Sequence, residues 1–232
     1  MGDPAKADAA LLPCISWSHD PSYLRLQGYM ETNCSYIAVQ ENLMDDAHFN
    51  YLHCPPHIDW AEQPALWSLP VDIEVKDRTV TTVMKLLDVT LAPVEAIAMG
   101  LQVGQRVNRL GRCMSAAPGC YFAEWSFENP TPAPGAQSSF SLRGLHGMTP
   151  ISADRCHWWW AYIQDYGHRA PRAFQAGWEA ILQQDKDILE AIQMTADRAP
   201  AMEQPPHVLV GADRALVGLR RIFKQMLEVE DT

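Results

Sequence analysis

The run ENLMDDAHFNYLHCPP, residues 41–56, contains two histidines five positions apart and a carboxylate three positions before the first of them. Asp45, His48 and His53 are residue types that bind a metal ion or orient its ligands. A purely structural interpretation is also open, in which Asn42 caps a short helix and Asp45 closes a capping box. Capping accounts for the amide and the carboxylate but leaves the histidine pair unexplained, so the segment is a candidate metal site.

The spacing of the two histidines does not suit a regular α-helix. Five steps of about 100° place His53 about 140° around the axis from His48, so the two rings would not converge. Pro55 disfavours the α conformation at Cys54, and a last turn widened toward an i to i+5 pattern would bring the rings together. We therefore expect one short helix over this segment, distorted near its end.

A third candidate ligand lies in an amphipathic pattern that follows Pro171. The position of this pattern that should be apolar is 185, and it holds Asp185. A carboxylate in a buried stripe is costly unless it is paired or bound to a metal. Asp187 lies off the stripe and is the alternative. The stripe predicts a long helix and consists of Phe174, Trp178, Ile181, Leu182, Ile188, Leu189 and Ile192.

Two imidazoles and one carboxylate with open positions form the ligand set used for non-haem ferrous oxygen chemistry. The same ligand types hold hydrolytic zinc, so ligand type alone does not choose between the two. A metal-free ligand-binding protein is a third alternative, although such a protein has no reason to place Asp185 in an apolar stripe.

The elements that must position these residues are strands in the middle of the chain and helices at its end. We expect strands at 34–40, 71–75, 80–86, 106–116, 120–128, 138–145 and 156–167, the second and third forming a hairpin. Trp158, Trp159 and Trp160 cannot all face one side of a strand, so we expect core packing there rather than a shared pocket wall. A second late helix spans about 212–228. Strands first and helices last indicate an α+β fold, with a long helix across a curved antiparallel sheet.

Composition excludes several classes of function. The chain has 232 residues, 47% of them hydrophobic, which suits a single domain with a sizeable core, preceded at 1–22 by an extended leader. A net charge of −10 argues against a nucleic-acid partner. No run reaches the roughly 18 to 20 apolar residues of a membrane helix and no signal peptide is visible, so we expect a cytoplasmic protein without membrane association. The six cysteines form no CxxC pair, which argues for reduced thiols and against a structural zinc.

The segment ENLMDDAHFNYLH resembles the iron motif N-x-x-D-x-x-H-x-x-x-x-H of Rieske non-haem iron oxygenases, in particular the aromatic O-demethylase and methylxanthine N-demethylase branch. The stretches MGDPAKADAALLP, DPSYLRLQGY, TPISADRCHWWWA and QQDKDILEAIQ resemble segments found in the same order in the catalytic part of that family. The resemblance implies a helix-grip (Bet v 1-like) fold. It also implies that His48, His53 and Asp185 bind Fe(2+), that Asp45 is a bridging aspartate, and that Asn42 is a polar neighbour of the iron.

One departure from the family concerns its Rieske domain, which holds a 2Fe–2S cluster through CxH and CxxH pairs. These residues contain no CxH, and their one CxxH, Cys54 to His57, lies beside the iron motif and is better explained as coincidence. We therefore expect residues 1–232 to form a catalytic domain without a Rieske domain. The chain is then either a fragment of a longer oxygenase or a natural subunit served by a partner, as in the methylxanthine N7-demethylase system, whose reductase contributes an extra Rieske domain.

The resemblance implies the terminal oxygenase component of a demethylase or hydroxylase. Its substrate would be a small aromatic or heteroaromatic compound, methylxanthines included, oxidised with dioxygen at the ferrous ion. Electrons would come from NAD(P)H through an external Rieske 2Fe–2S cluster in a partner reductase or oxygenase subunit. The resemblance further implies a homo- or hetero-oligomer built on trimers.

Overall fold

The computed structural model describes residues 5, 8, 10, 15–53, 71–91, 93–198 and 211–230. Most of the expected leader lies outside the described residues, and so do Cys54, Pro55, His57 and His207. Within the leader, a 3-10 turn spans Ser16–His19 just before the first strand.

Seven strands form one antiparallel sheet in the order β1-β7-β6-β5-β4-β3-β2. Each strand from β2 to β7 pairs with the next, and β1 closes the open edge of β7. The strands are β1 Leu24–Thr32, β2 Val71–Lys76, β3 Thr79–Thr90, β4 Arg106–Ala116, β5 Cys120–Glu128, β6 Ser139–Ser152 and β7 Arg155–Gln164.

The predicted strands from residue 71 onward are confirmed, but β6 continues past its predicted end at 145, and β7 ends at Gln164 rather than at 167. The predicted strand at 34–40 is wrong, because residues Tyr36–Met44 form helix α1. Ser35 begins that helix as its N-cap, with its side chain accepting a hydrogen bond from the Ile37 N–H. Strand β1 was not predicted, although its exposed residues alternate strictly with buried or partly buried ones, as in a strand with one covered face.

Three further helices are α2 Pro93–Ala98, α3 Pro171–Arg198 and α4 Arg214–Glu230. Helix α3 stacks Trp178 on Tyr162 of β7 at 3.8 Å between ring centroids. Arg220 of α4 donates to Glu41 of α1 at 2.8 Å, which ties those helices together. This is the α+β, helix-grip arrangement expected from the sequence. Among the described helices, none combines the length and apolar character that crossing a bilayer requires.

The face of the sheet that carries Tyr162 is called here the inner face. On this face two glycines pair across strands with tryptophans. Gly111 of β4 lies opposite Trp125 of β5, and Gly28 of β1 lies opposite Trp160 of β7. In both pairs the indole ring occupies the space of a β-carbon. Trp158 and Trp160 are buried while Trp159 is 45% exposed, so the three tryptophans do not share a face, as predicted. The expected core packing holds for Trp158 and Trp160 and is wrong for Trp159.

The apolar stripe of α3 is confirmed only in part. Phe174, Leu182 and Leu189 are buried, but Ile188 and Ile192 are 41% and 56% exposed. The prediction for those two isoleucines is wrong. At 100° per residue Ile188 lies about 60° from Asp185, on the side away from Leu182 and Leu189. Ile192 lies only about 20° from Asp185, but it comes after Leu189, the last buried residue of α3. Asp185 lies on the buried line and is only 3% exposed, as the pattern indicated.

Candidate metal centre

His48, His53 and Asp185 converge on one point between α1, the segment that follows it, and α3. The two Nε2 atoms lie 3.1 Å apart, and Asp185 Oδ1 lies 3.4 Å from Nε2 of His48 and 3.1 Å from Nε2 of His53. The side chains of His53 and Asp185 are 5% and 4% exposed, so these polar atoms face one another away from bulk water. In the part of the chain that the structure describes, these three residues form a group whose ligand atoms lie close enough together to hold a metal ion.

The backbone brings the two histidines together differently from the expected single distorted helix, and that prediction is wrong. Helix α1 ends at Met44, Asp45 is extended, and a separate 3-10 turn spans Asp46–Asn50. The Asp45 side chain accepts from the Ala47 N–H at 2.9 Å, which caps the new turn. Because His48 lies in that turn and His53 in the loop beyond it, the 100° step of one helix does not constrain their relative directions.

Asn42 does not cap a helix, as the structural interpretation supposed, but lies inside α1. Its Nδ2 donates to Asp185 Oδ1 at 3.0 Å. Helix α1 is itself fixed to the turn between β4 and β5, because the buried Gln40 accepts from Gly119 N–H at 3.0 Å and donates to the Cys120 carbonyl at 3.2 Å. The amide of Asn42 is therefore held where it orients the Asp185 carboxylate.

Asp45 lies beside the cluster rather than in it. Its Oδ2 is 3.8 Å from Nδ1 of His48, too far for a hydrogen bond. That Nδ1 is buried and has no hydrogen-bond partner among the described residues. Asp187, the alternative ligand, is exposed and accepts instead from Gln183 at 2.7 Å.

Burial and neighbouring charges act in opposite directions on the ionisable groups of the cluster. Burial opposes a charged imidazole, but the carboxylates of Asp185 and Asp45 outweigh it and raise the pKa of His48 to about 9. Burial likewise opposes a charged Asp185, yet its hydrogen bonds to His48 and His53 hold the pKa of that carboxyl well below its usual range.

The donor set also fits a metal ion in that position. Three ligands about 2.1 Å from one ion lie about 3.0 Å apart at right angles and about 3.4 Å apart at the tetrahedral angle. The three observed separations, 3.1, 3.1 and 3.4 Å, fall in this range. Nitrogen and carboxylate oxygen are ligands for both ferrous iron and zinc, so the distances fit either ion.

Two inner-face residues near the cluster were not recognised from the sequence. His146 of β6 is buried and its Nδ1 accepts from Trp158 Nε1 at 3.0 Å, and burial lowers its pKa to about 3. Arg109 of β4 lies 3.9 Å from the Trp125 ring centroid, and its Nε is buried without a hydrogen-bond partner among the described residues. The usable signal was strand alternation, since Arg109 and His146 fall on the same inward register as Gly111 and Met148.

Burial raises the pKa of Asp46, the first residue of the 3-10 turn, to about 6, although the charge of Arg109 opposes this.

Gln184, the residue before Asp185, makes a further contact with the cluster that the sequence did not indicate. Its Oε1 lies 3.0 Å from Nδ1 of His53.

Comparison with known proteins gives one family and a set of distant relatives. The model of the vanillate O-demethylase oxygenase C-terminal domain matches residues 32–229. The oxygenase component of dicamba O-demethylase from Stenotrophomonas maltophilia is 27% identical over 99% of the chain and 66% of its own length. The vanillate O-demethylase oxygenase subunit of Pseudomonas sp. strain HR199 is 24% identical over 99% of the chain and 65% of its own length. The chain thus spans slightly less than two thirds of these relatives.

A solved structure supports the fold. Dicamba monooxygenase bound to 3,6-dichlorosalicylic acid superposes with a TM-score of 0.81 and 24% identity, over 100% of this chain and 67% of that one.

Proposed function

The chain belongs to the family of vanillate O-demethylase oxygenase C-terminal domains, and from that premise we propose that it is the catalytic part of an oxidative demethylase. The reaction would be demethylation or hydroxylation of a small aromatic or heteroaromatic compound with dioxygen. The observation that carries the proposal is the convergence of His48, His53 and Asp185 within 3.4 Å of one another. These residues would bind Fe(2+), and the ferrous ion when bound would supply the activation of dioxygen.

The residues around the ion have separate tasks in this proposal. Asn42 orients Asp185 through a 3.0 Å hydrogen bond, which leaves the other carboxylate oxygen unconstrained by that amide. His146, neutral because burial lowers its pKa to about 3, brings no charge to the inner face. The packed rings of Tyr121, Tyr162 and Trp158 surround His146 and keep water away from this side of the centre.

Electrons are proposed to come from NAD(P)H through a Rieske 2Fe–2S cluster that residues 1–232 do not hold. The support is the absence of any CxH pair in these residues. We propose that Asp45 is the bridge to that cluster; in support, its side chain is 30% exposed and its Oδ2 lies 3.8 Å from Nδ1 of His48. The partner would be a Rieske-containing reductase or oxygenase subunit, in an assembly that we propose is based on trimers.

The substrate is proposed from the relatives. Two of them are named as O-demethylases of dicamba and vanillate. An aryl methyl ether is therefore the first substrate to try, and an N-methyl heteroaromatic such as a methylxanthine the second. Demethylation of the ether consumes dioxygen, two electrons and two protons, and yields the phenol, formaldehyde and water.

The proposal is tested by combining the Fe(2+)-loaded chain, NADH and a Rieske-containing reductase with a panel of aryl methyl ethers and N-methyl heteroaromatics. We expect formaldehyde to form in proportion to the NADH and dioxygen that are consumed. The variant Asp185→Asn should form no formaldehyde. Asp187→Asn is the matched control and should retain activity. Product formed without NADH and without dioxygen would instead favour a zinc hydrolase, and a chain that binds no metal would favour a ligand-binding protein.

A further inference from the structure

Gln184 contacts the one nitrogen of His53 that does not face the cluster. Its Oε1 lies 3.0 Å from Nδ1, on the opposite side of the ring from Nε2. We infer that Gln184 is a positioning residue, which holds His53 in the tautomer that presents a free Nε2 lone pair to the metal position. The inference rests on the proposed metal centre and adds to it a residue that acts through a ligand rather than as one.

The argument starts from the chemistry of the amide oxygen, which only accepts hydrogen bonds. At 3.0 Å from it, Nδ1 of His53 must donate, so the proton of the neutral ring is on Nδ1. Nε2 is then left with its lone pair, and only that form of a neutral imidazole can bind a metal through Nε2. The second ring nitrogen thus fixes which nitrogen is free, which is the ordinary role of outer partners at metal sites.

The alternative tautomer of His53, with its proton on Nε2, would be stabilised by Asp185, and the contact with Gln184 must outweigh that stabilisation. Asp185 Oδ1 lies 3.1 Å from Nε2, and a proton on Nε2 would donate to that carboxylate. In that form His53 has no lone pair toward the cluster, and a metal would have to displace the proton. By drawing the proton to Nδ1, Gln184 keeps the ring ready for a cation.

Gln184 and Asp185 are neighbours on α3, so one helix holds both sides of the same ring. Helix α3 spans Pro171–Arg198, and its buried Leu182 and Leu189 anchor it on either side of this pair. His53 lies in the loop beyond the 3-10 turn, where no helix or strand fixes it. Contacts at Nδ1 and Nε2 therefore position the His53 ring on α3 before any metal arrives.

The two histidines are supported in different ways. Nδ1 of His48 has no hydrogen-bond partner among the described residues and faces the Asp45 carboxylate at 3.8 Å. Nδ1 of His53 has a neutral amide at hydrogen-bond distance. Because Gln184 is exposed, water can replace its oxygen in part, so we expect its loss to weaken metal binding by about tenfold, the lower end of the usual range for outer-shell partners.

The first test reads the tautomer directly in the metal-free protein. Two-bond 1H–15N spectra of histidine-labelled protein distinguish a protonated Nδ1 from a protonated Nε2. We expect protonated Nδ1 at His53 in the unsubstituted chain and in Gln184→Glu, and a shift toward protonated Nε2 in Gln184→Leu. Gln183→Leu, one residue away and bonded to Asp187 instead, is the matched control and should leave His53 unchanged. Protonated Nε2 in the unsubstituted chain, or no change in Gln184→Leu, overturns the inference.

The second test titrates each variant with Co(2+), whose absorption reports its ligands. We expect about tenfold weaker binding for Gln184→Leu, recovery in Gln184→Glu and no change in Gln183→Leu. An equal loss in Gln183→Leu and Gln184→Leu overturns the positioning role. If the unsubstituted chain binds no metal, the proposed metal centre fails, while the tautomer spectra still decide the role of Gln184. Unchanged melting temperatures verify that the variants are folded.

Discussion

At the residue scale, Asp45 makes two contacts that a substitution can separate. One carboxylate oxygen caps the 3-10 turn through the Ala47 N–H at 2.9 Å, and the other lies 3.8 Å from Nδ1 of His48. Capping needs only an oxygen acceptor, whereas raising the pKa of the His48 imidazole needs the charge of a carboxylate. Asparagine retains the first property and removes the second.

We predict that Asp45→Asn retains the fold and most of the bound iron but slows the arrival of electrons from a Rieske partner by about 10- to 100-fold. The melting temperature should change little, because asparagine caps about as well as aspartate. Iron content, melting temperature and the single-turnover rate on this variant are the measurements. Unchanged electron-transfer kinetics would reject the bridging role and leave Asp45 as a cap only.

His146 predicts a pH dependence of stability that can be measured on metal-free protein. Its pKa is lowered by burial to about 3 in the folded chain, against 6.5 without burial. Between about pH 3 and pH 6.5 His146 therefore binds a proton in the unfolded chain but not in the folded chain. The contribution of neutral His146 to stability is complete above pH 6.5 and is lost progressively toward pH 3.

We predict that His146→Gln makes the free energy of unfolding less steep between pH 4 and 6 by about 1.4 kcal/mol per pH unit, the value of one proton. Glutamine can still accept from Trp158, which limits the structural damage. Urea unfolding of both proteins across this range is the measurement. Parallel pH profiles would show that His146 does not remain neutral in the folded chain.

At the element scale, the sequence predicted which side chains meet but not how the backbone brings them together. Asp185 was found because a carboxylate interrupts an apolar helical stripe, and its burial follows from that position alone. The convergence of His48 and His53 depends on a helix that stops at Met44 and a 3-10 turn that starts at Asp46. Asp45 produces that break by capping the second turn with its side chain, a local competition that residue spacing does not reveal.

Long-range pairings were the other part that the sequence did not supply. Gln184 is an exposed residue of α3, and only the loop carrying His53 makes it a partner of the cluster. Strand β1 alternates exposed with covered residues and was recognisable as a strand, but its pairing with β7, the last strand along the chain, is not a local property. The central strands were predictable because both the pattern and the turns between them are local.

Among the elements, the pairing of β4 with β5 depends on Gly111, whose position leaves room for the Trp125 ring. We predict that Gly111→Ala lowers the free energy of unfolding by about 1 to 3 kcal/mol, because a methyl group there displaces the ring. Gly147→Ala in β6 is the matched control, since a β-carbon there meets nothing within 4 Å. Urea unfolding of the two variants is the measurement, and equal losses would contradict this packing.

At the scale of the whole molecule, the proposed activity needs two metal centres, and these 232 residues carry candidate ligands for one of them. We predict that the purified chain shows no absorbance of a 2Fe–2S cluster, because it has no CxH pair to hold one. NADH and a reductase without a Rieske domain should give no turnover, and a Rieske-containing partner should restore it. Robust aerobic turnover without such a partner would contradict the external supply of electrons.

The metal centre is tested most directly by anaerobic titration with Fe(2+), followed by measurement of iron per chain. The account predicts about one iron per chain for the unsubstituted protein and for Asp187→Ala, whose carboxylate faces Gln183 rather than the cluster. It predicts almost none for Asp185→Ala, because only two imidazoles then remain to bind the ion. Full iron occupancy in Asp185→Ala would contradict the assignment of His48, His53 and Asp185 as the ligands.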